Sequence, residues 1–159
     1  PAGTHSWGDA ARIVCWYDRG SRRGFELYGQ NNRLVLQINE HRVASDTGRQ
    51  GYYIDDRWSF FAVSVDATED RPIVRFYRGR PQGQGEFAVN LIGERRLDAP
   101  LPDGLPAIET WFSIGNTPDR QRAFAGRIDN LAMWVDGRGD DAVLSRDELE
   151  VFRRVSSGE

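Results

Sequence analysis

The sequence predicts an all-β fold, an antiparallel two-sheet jelly-roll sandwich with a short C-terminal helix. Three observations carry this. Eight short segments alternate apolar and polar residues, Gly, Pro, Asp and Asn punctuate them about every ten residues, and a single stretch near the end carries helix-start chemistry. A chain built this way folds as an antiparallel sandwich or barrel rather than as alternating strands and helices.

The strand segments are RIVCWY (12–17), GFELYG (24–29), RLVLQIN (33–39), WSFFAVSVD (58–66), PIVRFYRG (72–79), EFAVNLIG (86–93), WFSIGN (111–116) and AFAGRIDNLAMWV (123–135). Between them, SRRG (21–24) and GQNN (29–32) offer Gly and Asn, which accept the positive φ of tight turns. The proline-rich stretch LDAPLPDGLPAIE (97–109) is the irregular crossover. Trp58 is assigned to the core. In LSRDELEVFRR, Ser145 caps a helix and Glu148 reaches back to complete a capping box. Leu144, Leu149, Val151 and Phe152 then dock one face, and Arg153 and Arg154 suit the negative end of the helix dipole.

Length, charge and composition narrow the function. A chain of 159 residues suits one domain (1–159) with its own core. With a formal charge of −3, it lacks the positive field that phosphate binding needs, so nucleic acid is not an expected partner. All 21 basic residues are arginine, and no apolar run is long enough to span a membrane. Cys15 stands alone within IVCW, which excludes an internal disulfide and fits a small buried hydrophobe.

Catalytic motifs are absent. His5 and His41 have no ligand-spaced partner, and neither a GxSxG elbow nor a P-loop occurs. A sandwich glycosidase needs two carboxylates on one face of its cleft, yet Asp129 is flanked at two-residue spacing by Arg127 and Leu131, and Glu26 is equally alone on its strand. The pairs Asp55–Asp56, Glu69–Asp70 and Asp140–Asp141 fall in turns.

Several motifs together resemble laminin-G-like jelly-roll domains of the concanavalin A-like lectin/glucanase superfamily. At the C-terminal end these are Ile114-Gly115-Asn116, then Phe124 to Asp129 as an aromatic-x-Gly-x-Ile-Asp strand, then Leu144 to Glu148 as a Leu-Ser-x-x-Glu helix start. In the middle, Trp58, Ala62, Val63, Asp66, Tyr77 and Gly79 fit the family's paired strands, and GFELYGQNNRLVLQIN fits an earlier hairpin more loosely. One departure stands out: PAGTHSWGDA does not supply both the aromatic-Asp-Gly turn and the Trp-bearing strand that open the family pattern. The expectation is therefore that leading strands are missing from this sequence, that another chain completes the sheet, or that Ser6 to Asp9 is a remnant of them.

The resemblance implies a structural calcium ion with Asp129 as one ligand; the competing reading is a carboxylate that pairs with Arg122 or Arg127 or accepts amide hydrogen bonds. It also implies an extracytoplasmic recognition module without catalytic activity. Polysaccharide or glycan binding is the first expectation, with Trp16, Tyr52, Tyr53 and Trp111 as the aromatic surface. A protein-interaction domain docked among other subunits is the second. A glycoside hydrolase or polysaccharide lyase of the same superfamily is the third.

Overall fold

A computed structural model of the chain describes residues 10–31, 33–46, 58–68, 70–79, 89–101, 108–135 and 143–156. Its architecture is the all-β one the sequence predicts: two antiparallel sheets, of five and three strands, and one short C-terminal helix. The described residues fall into two compact units interleaved along the chain, the first drawn from Pro1–Tyr53 and Pro102–Asp129, the second from Ile54–Leu101 and Asn130–Glu159.

The first unit holds β1 (Ala11–Asp18), β2 (Arg23–Gln30), β3 (Arg33–Ile38), β4 (His41–Ala44) and, after the crossover, β8 (Ser113–Ile114). Its sheet order is β4-β3-β2-β1-β8, a meander with a late strand added beside β1. Turn chemistry sets the meander, since Asn31 (φ 49°) and Asn39 (φ 50°) take the left-handed conformation where β2 turns to β3 and β3 to β4. One face is apolar, with Val14, Leu34, Leu36 and Ile38 buried.

A β-bulge in β1 shapes the other face. Arg12 pairs with Tyr28 and Val14 with Leu27, so Ile13 is the extra residue. Strict alternation would put Arg12 on the side of Val14 and Trp16. The bulge moves it to the side of Cys15 and Tyr17, facing Glu26 and Tyr28 of β2.

After β8 comes a stapled loop. Gly115 (φ 74°) turns the chain, its N–H donating to the Ile13 carbonyl (2.8 Å) and its carbonyl accepting from Phe124 N–H (2.7 Å). The Asn116 side-chain oxygen accepts from the Thr117 (2.8 Å) and Arg122 (3.0 Å) backbone N–H groups. Buried Thr117 donates its hydroxyl to Asp119, a bond that holds the Asp119 carboxyl below its usual range. The Ile-Gly-Asn motif is thus a turn and a loop closure.

The second unit holds β5 (Phe60–Asp66), β6 (Ile73–Gly79) and β7 (Asn90–Arg96), in the order β5-β6-β7, and the helix α1 (Arg146–Ser156). Its helix begins as predicted: Ser145 N–H donates to Glu148 Oε2 (2.7 Å) and Glu148 N–H donates back to Ser145 Oγ (3.3 Å). Leu149 packs with Tyr77 and Val89, joined by Phe60, Ala62 and Leu144. Glu150 pins the helix further. It accepts from Val89 N–H (2.9 Å), Arg153 and Arg154, and the Arg153 bond above all draws its carboxyl down to about 2.

Five expectations are corrected. Residues 123–135 form no strand: the backbone bends at Ala125 and Gly126 and again at Asn130 (φ 52°), where the chain passes from one unit to the other. The WFSIGN strand shrinks to Ser113–Ile114, and a strand the sequence does not predict, β4, is present. Trp58 is 45% exposed rather than core. Val151 is 62% exposed, since it lies two positions from Leu149 and turns off the docking face.

Candidate functional site: the polar face of the five-stranded sheet

The bulge and the β2–β3 register gather Arg12, Cys15, Tyr17, Glu26, Tyr28, Gln37 and Arg42 on one face. At its centre Arg12 and Glu26 form a bidentate pair, Nε to Oε2 at 2.7 Å and Nη2 to Oε1 at 2.6 Å, and their residues are 6% and 3% exposed. Arg12 Nη1 also donates to the Ala10 carbonyl, and the guanidinium carbon lies 4.0 Å from the centre of the Tyr28 ring. This fills the donor fork from three sides, as a guanidinium removed from water requires. Nearby, Gln37 Nε2 donates to the Tyr17 hydroxyl oxygen (2.8 Å). Burial pushes both tyrosine hydroxyls above their ordinary pKa.

Cys15 belongs to the same cluster, with Sγ 3.7 Å from Glu26 Oε2. Burial, reinforced by the Glu26 charge, pushes its thiol up to about 11. A thiol so protonated is a poor nucleophile, and the residue is the buried small side chain that the sequence predicts. Ellman's reagent should therefore label the native chain negligibly at pH 8 and label it fully, one thiol per chain, in denaturant. Fast labelling of the native chain would contradict the burial.

At the β2–β3 turn end, this face opens into a hollow of about 460 Å³ lined by Gln30, Asn31, Arg33, Val35, Arg42, Val43 and Ala44. Arg42 donates to the Gln30 side-chain oxygen, and its guanidinium carbon lies 5.7 Å from the Tyr28 ring centre.

The expected aromatic surface is only partly gathered. Trp111 is 82% exposed just before β8. Trp16, half-buried, packs edge-on against Phe25 (6.1 Å between centroids, 74°), and Phe25 meets Phe112 (6.4 Å). Trp16 is thus part of an aromatic chain on the apolar face, with Phe112 the immediate neighbour of Trp111. Tyr52 and Tyr53 lie outside the described residues.

Asp129 is exposed and outside any strand. Among the described residues no three acidic, His or Cys side chains come together to hold a metal ion. One exposed carboxylate falls well short of the six to eight oxygens that calcium takes, so the described residues do not by themselves fit the ion. Ser6 to Asp9, which the family pattern would add, lie outside them.

From the sequence Glu26 reads only as a lone strand carboxylate; its pairing with Arg12 and the hollow do not show there. A partial signal was there: Glu26, Tyr28 and Gln30 alternate along GFELYGQ, and Arg33, Val35 and Gln37 alternate along RLVLQ. Compared with family models, curated proteins and solved structures, the chain matches none.

Proposed function

We propose that this chain is a non-catalytic recognition module that binds a polysaccharide or glycan outside the cytoplasm, as its resemblance to laminin-G-like domains implies. The observation that carries the reading is Trp111, a tryptophan 82% exposed two residues before the edge strand β8. A flat ring in that position offers an apolar platform to the C–H face of a sugar. The polar face supports the non-catalytic part. Its one carboxylate among the described residues, Glu26, is held bidentately by Arg12 and has no second carboxylate across from it.

The test is binding of the purified chain to a polysaccharide array, with Trp111→Ala beside it. Loss of one stacked ring costs about 0.5–1.5 kcal/mol, roughly a two- to tenfold drop in affinity. Binding that survives Trp111→Ala unchanged removes the platform from the reading.

A second reading, a protein-interaction domain, rests on Phe112 (44% exposed), next to Trp111 in the chain, and Ile114 (54% exposed), in the edge strand β8. A chain that holds no glycan, while a protein partner shields these three residues from hydrogen exchange or labelling, fits this reading instead.

A further inference from the structure

We infer that the hollow at the β2–β3–β4 end of the first unit is a subsite for an acidic sugar, one bearing a carboxylate or a sulfate ester. This goes beyond the Trp111 reading, since it concerns other strands and other chemistry. The hollow's volume, about 460 Å³, lies in the range of small-ligand sites and accommodates one or two sugar rings.

Among the described residues that line it, the charged side chains are arginines. Arg33 and Arg42 face it together with the carboxamides of Gln30 and Asn31, and no carboxylate is among these described lining residues. The chain as a whole carries −3, so this is a local arrangement rather than the overflow of a basic protein. The contrast with Arg12 is instructive. Arg12 lies on the same face, but its charge is cancelled by Glu26 at 2.6 Å. Arg42 instead donates to a neutral amide oxygen, that of Gln30, and lies near the face of the Tyr28 ring. A guanidinium in that setting keeps its net charge and its exposed N–H groups for a ligand anion, which it can meet with two parallel hydrogen bonds.

The remaining lining suits the rest of a sugar. Gln30 and Asn31 carry donors and acceptors for hydroxyl groups. Val35 and Ala44, paired in the β3–β4 register, give an apolar floor for ring C–H groups. Cross-strand pairing fixes these positions, Gln30 with Arg33 and Val35 with Ala44, so the donors are held by the sheet ladder.

Calorimetric titration of the chain with galacturonate, galactose 6-sulfate, galactose and inorganic sulfate tests the inference. At least one charged sugar is expected to bind tenfold or more tightly than galactose and than inorganic sulfate, and to weaken as salt is raised. Which of the two binds tells carboxylate from sulfate ester. Arg42→Gln, on an exposed side chain, should weaken that binding about tenfold, while Trp111→Ala leaves it unchanged. Equal affinity for galactose, equal affinity for inorganic sulfate, no binding of either charged sugar, or indifference to Arg42→Gln overturns the subsite. Because Trp111→Ala reads the polysaccharide platform and Arg42→Gln the hollow, failure of one leaves the other standing.

Discussion

Glu26→Gln is expected to lower the stability of the chain by about 3–5 kcal/mol, the cost of leaving one member of a buried ion pair without its partner. The replacement keeps the size of the side chain, so the loss reports charge and not a cavity. Arg12 would keep its bond to the Ala10 carbonyl and its contact with Tyr28, but its two bonds to the carboxylate would be replaced at best by one to an amide oxygen. For a chain of this length the change corresponds to a fall in Tm of roughly 6–20 °C, readable by thermal or urea unfolding. The double replacement Arg12→Met with Glu26→Leu should recover most of the loss, because neither charge then has to be taken out of water. An unchanged midpoint for Glu26→Gln would show that the pair contributes nothing in the folded chain.

Gly24→Ala is expected to cost about 3 kcal/mol or more, for two reasons that add. Gly24 has φ 101°, a conformation that side chains with a Cβ rarely take. A Cβ there would also fall well inside contact distance of the Trp16 carbonyl oxygen and 2.5 Å from Ile108 Cδ1. The first of these is backbone in the paired strand and cannot swing aside. Gly20→Ala makes the comparison, since its Cβ would meet only the Asp18 side chain, at 3.3 Å, and its φ is not positive; a change within about 0.5 kcal/mol is expected. Urea midpoints of the two variants, side by side, decide the matter. A Gly24→Ala chain as stable as Gly20→Ala would mean that the β1–β2 ladder is looser than its register implies.

Those two positions also mark what could and could not be read from the chain alone. Alternation and turn residues located β1, β2, β3, β5 and β6 to within two residues at each end, because a half-buried strand writes its period directly into the sequence. The capping box at Ser145 and Glu148 was equally legible, being an interaction across one helical turn. What failed was non-local. AFAGRIDNLAMWV has the right period but bends at Ala125 and Gly126 and again at Asn130, where the chain changes unit. The four residues of β4 were too few to show a period, although Asn39 just before them marked the turn. Most instructive is Arg12. Counting by twos along RIVCWY sets it against Cys15 and Tyr17, and only the bulge at Ile13, visible from the pairing with β2, brings it onto their face and beside Glu26.

The late arrival of β8 affects how the first sheet assembles. Val14 pairs with Ile114, so the outer side of β1 waits for a partner made roughly a hundred residues later, after the strands of the second unit. The β1 to β4 meander can form early from neighbouring hairpins, whereas the last ladder closes a long loop and is the slow, entropically costly step. Until it closes, an emerging chain carries a bare strand edge beside Val14 and Cys15, and any strand that reached it first would be a competitor for the place of Ser113 and Ile114.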